Sequence, residues 1–190
     1  MAGPTPPRVV IVAGEEPRRE RYRSWLQSAY PVETAPSSEQ VGSLPEGEPA
    51  VILVEESIAP IENGQNLRAR VSSTDLHRLG LIATSEPVQD VVTRGFDGHV
   101  SNPATAEELE SLVRRLHRQA LYLMEIGDLY QLVTDRAAIT AGSGGSEAEV
   151  FHRPDELERE IARMRADMQD LLERCTSEDF RALFRDLDTG

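Results

Sequence analysis

Two continuous runs of β-branched and aliphatic residues constrain the fold of this 190-residue chain more than any other feature. They are Val9-Val10-Ile11-Val12 and Ala50-Val51-Ile52-Leu53-Val54. Runs without polar alternation are typical of strands buried on both faces, as in a parallel sheet covered by helices. We therefore expect both runs to be central strands of such a sheet.

The segments around these runs alternate between strand and helix patterns. Shorter strands are predicted at residues 31–34, 79–83 and 98–100, and helices at about 17–29, 38–44, 65–71 and 87–94, with a last helix beginning after Asn102-Pro103. Alternation at this spacing implies right-handed βαβ crossovers and helices on both faces of a parallel sheet. The predicted fold class is α/β, a flavodoxin-like (βα)5 domain.

The second half of the chain carries helical heptads, which predict a C-terminal helical hairpin or coiled-coil extension. After a Gly/Ser-rich break at residues 141–146, apolar residues recur in alternating steps of four and three: Leu157, Ile161, Met164, Met168 and Leu171. Such a seam is typical of a coiled coil. It closes either as an αα-hairpin within the chain or against a helix of another chain, and both alternatives stay open.

These patterns divide the chain into three parts. We expect a flexible leader at residues 1–7, the α/β domain at residues 8–120 and the helical extension at residues 121–190. The predicted helices of the second half are at about 104–139, 154–175 and 177–187. The last of these is short with one apolar side, so it must dock on another surface.

The charge balance limits the partners of the chain. It has 33 acidic and 20 basic residues, a net charge of -13, and no lysine. Because such a surface repels phosphate backbones, we do not expect direct DNA binding. Arginines cluster at residues 18–23 and 114–118 with helical spacing, and we interpret them as solvated helix faces.

Membrane, metal and catalytic signals are not found in the sequence. It has neither a signal-peptide pattern nor an apolar run of about 18 residues, so a cytoplasmic protein is expected. Cys175 is the one cysteine, which excludes an intrachain disulfide and a cysteine-based metal site. The four histidines have no metal-ligand spacing, and no catalytic motif occurs. We expect neither a metal nor enzymatic activity.

Several stretches carry a resemblance to known families. In the first half they are Tyr22-Arg23-Ser24-Trp25-Leu26, Val51-Ile52-Leu53-Val54 before Ile58-Ala59-Pro60, and Gly95-Phe96-Asp97-Gly98-His99-Val100-Ser101-Asn102-Pro103. This half resembles a response-regulator receiver domain of two-component signalling. The second half, through Leu129-Tyr130-Gln131-Leu132-Val133-Thr134-Asp135-Arg136-Ala137 and the helix after it, resembles the HalX domain that follows receivers in halophilic archaea.

By this resemblance, a working receiver needs two metal-binding acids, an acceptor aspartate, a hydroxyl and a lysine, in that order after strands one, three, four and five. The matching positions are Ala13 and Gly14 with Glu15 adjacent, Glu55, Ala83 and Asn102. A shift of one residue would bring Glu15 and Glu16 to the metal position or Thr84 to the hydroxyl position. No register supplies the aspartate or the lysine, because no aspartate precedes Asp75 and lysine is absent. We expect no phosphotransfer and no magnesium or other cofactor.

Two positions keep alternative interpretations. Glu55 is either a permanent mimic of a phosphorylated acceptor or a solvated strand-end residue. His99, at the family's switch position, is either a surface histidine or a pH sensor. The resemblance implies a signalling adaptor that binds protein partners, one candidate being a second copy of itself, through a face at residues 87–116. The alternative is a transcriptional regulator that acts through a DNA-binding partner.

Overall fold

The computed structural model describes residues 5–45, 47–58, 64–71, 76–83, 91–140, 154–173 and 175–184. Five parallel strands form one sheet in the order β2-β1-β3-β4-β5. They are β1 (Arg8–Val12), β2 (Val32–Ala35), β3 (Ala50–Glu55), β4 (His77–Ala83) and β5 (Gly98–Ser101). The strand order reverses between β1 and β3, which is the doubly wound arrangement of flavodoxin-like folds. The predicted fold class is confirmed.

Five α-helices accompany the sheet in the described residues: α1 (Glu16–Leu26), α2 (Gly64–Val71), α3 (Ala106–Thr140), α4 (Pro154–Leu172) and α5 (Ser177–Leu183). The helix predicted at 38–44 is only a 3-10 turn, Ser38–Gln40, since Gly42 and Pro45 disfavour its continuation. The helix predicted at 87–94 is described only in part. Residues 84–90 lie outside the described part of the chain, and residues 91–95 form a turn. None of the described helices is long and apolar enough to cross a bilayer.

Both faces of the sheet are covered by apolar side chains. All residues of β3 and β4 are buried, which the predicted two-sided burial requires. On one face the strand residues pack with α1 and α3 through Tyr22, Leu26, Leu109, Leu112 and Leu116. On the other they pack with Leu67, Phe96 and Ala182. The sheet thereby fixes the positions of the described residues at its strand ends.

The chain forms two compact units. The first unit contains residues up to 121 together with those from 176 onward, and the second unit contains residues 122–175. The placement of α5 differs from the predicted grouping of residues 177–187 with the helical extension. Its Ala182 belongs to the apolar core of the sheet, and its Asp179 accepts a hydrogen bond from Gln119. These contacts join residues that are 60 or more positions apart in the sequence, and they outweigh the proximity of α5 to α4 along the chain.

In the second unit, α4 belongs to the same compact unit as the distal part of α3 of the same chain. Ile161 and Met164 of the predicted seam are buried and Met168 is half-buried, whereas the side chains of Leu157 and Leu171 lie outside the described part. Burial, Asp167 and Asp128 raise the pKa of the Glu125 carboxyl, with Arg163 opposing them. The carboxyl on α3 therefore lies within electrostatic reach of α4. Pairing between two chains stays a prediction.

We predict that Glu125→Gln stabilises the chain slightly. A carboxyl with a raised pKa binds its proton more tightly in the folded state, so stability falls as pH rises from the ordinary glutamate range through the folded pKa. At neutral pH the variant should be more stable by about 0.5 kcal/mol or less, and it should lose less stability between mildly acidic and neutral pH. Urea unfolding followed by circular dichroism at both pH values measures this.

Asp170→Asn is the matched control, because it removes the same charge from an exposed position of α4. General relief of the chain's negative charge would stabilise both variants equally. If Asp170→Asn equals Glu125→Gln at both pH values, the local cause assigned to Glu125 is wrong.

Candidate functional site

The predicted pocket residues meet at the carboxyl edge of the sheet. Ala13 and Gly14 follow β1, Glu55 ends β3, Ala83 ends β4 and Asn102 follows β5. Parallel strands place these ends at one edge, which is where doubly wound folds carry their sites. The Asn102 N–H donates a hydrogen bond of 2.6 Å to the Ala83 carbonyl, so the ends of β4 and β5 are held together.

Glu55 is buried and engaged at both carboxylate oxygens. Only 1% of it is exposed. Its Oε1 accepts a hydrogen bond of 2.5 Å from Nη1 of Arg18, and its Oε2 accepts one of 3.0 Å from the hydroxyl of Ser57. The alternative that Glu55 is a solvated strand-end residue is therefore wrong.

Arg18, in the first turn of α1, supplies the cation for this carboxylate. Its Nε also lies 3.2 Å from Oε2 of Glu15, so one guanidinium bridges two acids. The hydrogen bond and charge of Glu55, and then the charge of Glu15, raise the pKa of Arg18. A guanidinium stays charged and offers several donors in one plane, which suits this bridging position. The interpretation of Arg18 as part of a solvated helix face is wrong.

The neighbouring Arg19 covers the end of β1. Its Nη1 donates hydrogen bonds of 2.7 Å to the carbonyl oxygens of Ala13 and Gly14. These oxygens lie where the receiver resemblance places the metal ligands. Two consecutive arginines of α1 thus engage backbone and carboxylate oxygens at this edge. Within the residues the structure describes, no three acidic, histidine or cysteine side chains converge as a metal site.

A depression beside β5 lies within the predicted docking face. It has a volume of about 230 Å³, and its lining is mixed: His99, Val100, Glu108, Ser111, Leu112 and Arg115. His99 is half-buried there, so its ring is partly accessible. Its role as a pH sensor stays a prediction. This mixture of apolar and charged lining residues suits a protein contact better than a small apolar ligand.

The sequence patterns do not indicate a second cluster of buried ionisable groups, which the structure places between α2, β4 and β5. Asp97 is fully buried, and its Oδ2 accepts hydrogen bonds of 2.6 Å from both Arg68 and the Leu79 N–H. Its Oδ1 lies 2.9 Å from Nη2 of Arg78, which is itself buried. A buried carboxylate paired with two arginines positions β4 and β5 and has no reactive partner among these contacts.

Comparison with known proteins identifies the fold. No protein-family model matches the sequence, and no curated protein matches it. NtrX from Brucella abortus, solved in complex with ADP, has a TM-score of 0.55 at 11% identity, over 69% of this chain and 30% of that chain. Full-length FixJ from B. japonicum has a TM-score of 0.52 at 14% identity, over 98% of this chain and 99% of that chain.

A third solved structure is a response regulator receiver modulated diguanylate cyclase from Pelobacter carbinolicus. It has a TM-score of 0.47 at 18% identity, over 62% of this chain and 97% of that chain. At such identities the likeness concerns the fold alone. The first unit has the flavodoxin-like receiver fold, whereas the HalX resemblance and a haloarchaeal source stay predictions.

We predict strong coupling between Arg18 and Glu55. Arg18→Met leaves a buried carboxylate without its cation and should cost about 2 kcal/mol of unfolding free energy. Glu55→Gln keeps the shape of the side chain and should cost about 1 kcal/mol. The double variant should be more stable than Arg18→Met alone, because no unpaired carboxylate remains. Urea unfolding of the four proteins in a double-mutant cycle measures the coupling.

Arg21→Met is the control for loss of an arginine from α1, since Arg21 is exposed. Its effect should stay within about 0.5 kcal/mol. Strictly additive effects of Arg18→Met and Glu55→Gln would show that the ion pair does not operate in solution.

Proposed function

We propose that this chain is a phosphorylation-independent signalling adaptor or regulator of the two-component type, which acts through protein contacts and is not an enzyme. One observation carries the proposal. At the position that corresponds to a receiver's phosphoacceptor stands Glu55, buried and already neutralised by Arg18.

The charges in this pocket are balanced without a phosphoryl group. In phosphoryl transfer a metal ion and cationic side chains neutralise the charge that arrives with the phosphate. Here Arg18 balances Glu55, and Arg19 caps the carbonyl oxygens at the end of β1. We infer that the pocket holds one constant electrostatic state, so that the chain signals by presenting a surface instead of by switching.

Two surfaces support contacts with partners. The depression around His99 and Arg115 lies on the face at residues 87–116 that the receiver resemblance assigns to docking. In the second unit, which we propose to be a HalX-type contact module, Tyr130 is 74% exposed and Val133 is 42% exposed. Large exposed apolar residues at helical spacing favour a helix-to-helix contact, and a second copy of the chain is a candidate partner.

Incubation with acetyl phosphate and magnesium tests phosphorylation independence. We expect no phosphoprotein by intact mass measurement and no change of the thermal midpoint with magnesium at millimolar concentration. An active receiver protein treated in parallel is the positive control for the reagent. A stable phosphoprotein, or stabilisation linked to magnesium, would contradict the proposal.

Light scattering of the full chain tests self-association through the second unit. Tyr130→Glu and Val133→Glu place charges on the exposed apolar positions and should lower the average mass if two copies pair there. Gln131→Glu is the matched control, because it adds a charge at the adjacent exposed position. An equal effect of all three variants would argue for general charge repulsion instead of a contact at Tyr130 and Val133.

A further inference from the structure

A buried acidic side chain makes the shortest hydrogen bond between the short helix α5 and the rest of the first unit. Asp179 is 1% exposed, and its Oδ1 accepts a hydrogen bond of 2.7 Å from Nε2 of Gln119. Its Oδ2 accepts from the backbone N–H and the hydroxyl of Thr176, both at 2.8 Å. The Asp179 N–H in turn donates a hydrogen bond of 3.2 Å to the Thr176 hydroxyl oxygen, and this bond and the one from the Thr176 N–H form a capping box. The same carboxylate therefore starts the helix and docks it.

The apolar attachment of α5 is small. Ala182 is buried in the core, but Phe180 is 38% exposed and Phe184 is 36% exposed. The two rings stack on each other at 6.3 Å between centroids. A helix of seven residues is too short to be stable alone, so its formation is coupled to docking. With little apolar area buried, docking depends on the hydrogen bonds of Asp179.

The surface beneath α5 combines polar groups with part of the apolar core of the sheet. Gln119 is fully buried there, and Nη2 of Arg78 donates a hydrogen bond of 3.3 Å to the Ala182 carbonyl. Exposure of an apolar surface to water costs free energy in proportion to the exposed area. Exposure of amide and guanidinium groups costs less, because water hydrates them. Detachment of α5 therefore costs much less than unfolding of the sheet, which is the condition for a local opening.

Arg115 joins this helix to the docking face. Its Nε lies 3.5 Å from Oδ1 of Asp179, and its side chain also lines the depression beside β5. We propose that α5 is a releasable latch. When α5 is docked, it masks Gln119 and engages Arg115. When α5 is released, both side chains become accessible and bind an acidic group of a partner protein. The role of the uncovered face rests on the proposed function, whereas the opening of α5 does not.

Hydrogen exchange of the full chain, followed by mass spectrometry, tests the latch. In the native chain the amides of residues 177–184 should exchange through openings of lower free energy than those of β3. Asp179→Asn and Gln119→Leu should each accelerate this exchange by about tenfold or more, because each removes a hydrogen bond to a charged group. Protection of β1 and β3 should stay unchanged, which also shows that both variants fold.

Reaction with an arginine-specific dicarbonyl measures the masking. Arg115 should be modified faster in both variants, while the exposed Arg114 should react at the native rate. Asp170→Asn controls for the lost charge and should change neither readout. The latch is overturned if α5 and β3 exchange with equal opening free energies, or if only Asp179→Asn accelerates exchange, which would indicate a helix cap without docking.

Unchanged Arg115 reactivity alongside faster exchange of α5 would overturn the masking of the docking face. Neither readout uses phosphate, magnesium or a partner. A negative result in the exchange and modification experiments would therefore not contradict phosphorylation independence. Likewise, a phosphoprotein in the acetyl phosphate experiment would not contradict the latch.

Discussion

Pairing of buried carboxylates with arginine is the interaction on which the first unit depends. Three nearly inaccessible acids are each placed beside a guanidinium: Glu55 with Arg18, Asp97 with Arg68 and Arg78, and Asp179 with Arg115. A carboxylate removed from water costs several kcal/mol unless it is paired and hydrogen bonded. In a chain without lysine, only arginine offers a permanently charged partner for them. The planar donors of arginine also allow one cation to serve two acceptors, as Arg18 does.

These pairs explain how a receiver fold can persist without receiver chemistry. The carboxyl edge of the sheet gathers polar groups from several strands whatever the sequence, because parallel strands all end there. In this chain two arginines in the first turn of α1 donate hydrogen bonds to these polar groups. Arg18 donates to the Glu55 carboxylate, and Arg19 donates to a backbone carbonyl at the end of β1. The positive charge comes from the helix that follows the first strand, whereas in the receiver pattern it comes from a lysine after the fifth strand.

Much of the fold followed from local pattern. The strands at Ala50–Glu55 and His77–Ala83 are apolar throughout or nearly so, and a run buried on both faces can be recognised without any partner. The stretch at 38–44 was predicted less well, because its weak helical pattern competes with Gly42 and Pro45. At the site, Glu55 and Ala83 end β3 and β4 and Asn102 follows β5, so the strand ends bring the three residues to one edge of the sheet. Their use in a degenerate phosphoacceptor pocket stays a prediction.

The ion pairs could not be read from the sequence, because their members are far apart along the chain. Glu15 and Arg18 have helical spacing, but 37 residues separate Arg18 from Glu55. Helical spacing of charges is equally typical of a solvated surface. Asp179 lies in the first turn of α5, yet nothing in the local sequence shows that it is buried beside Gln119. Only the packing of the sheet decides which charges become inaccessible.

The contact of β4 with α5 has a consequence for biosynthesis. Arg78 donates to a carbonyl 104 residues later, and the second unit lies between them in the sequence. A growing chain can assemble the five strands and the start of α3 on the ribosome, but Gln119 gains its hydrogen bond to Asp179 only after residues 176–184 have emerged. The first unit therefore begins to fold early and closes last, after the helices of the second unit have left the ribosome.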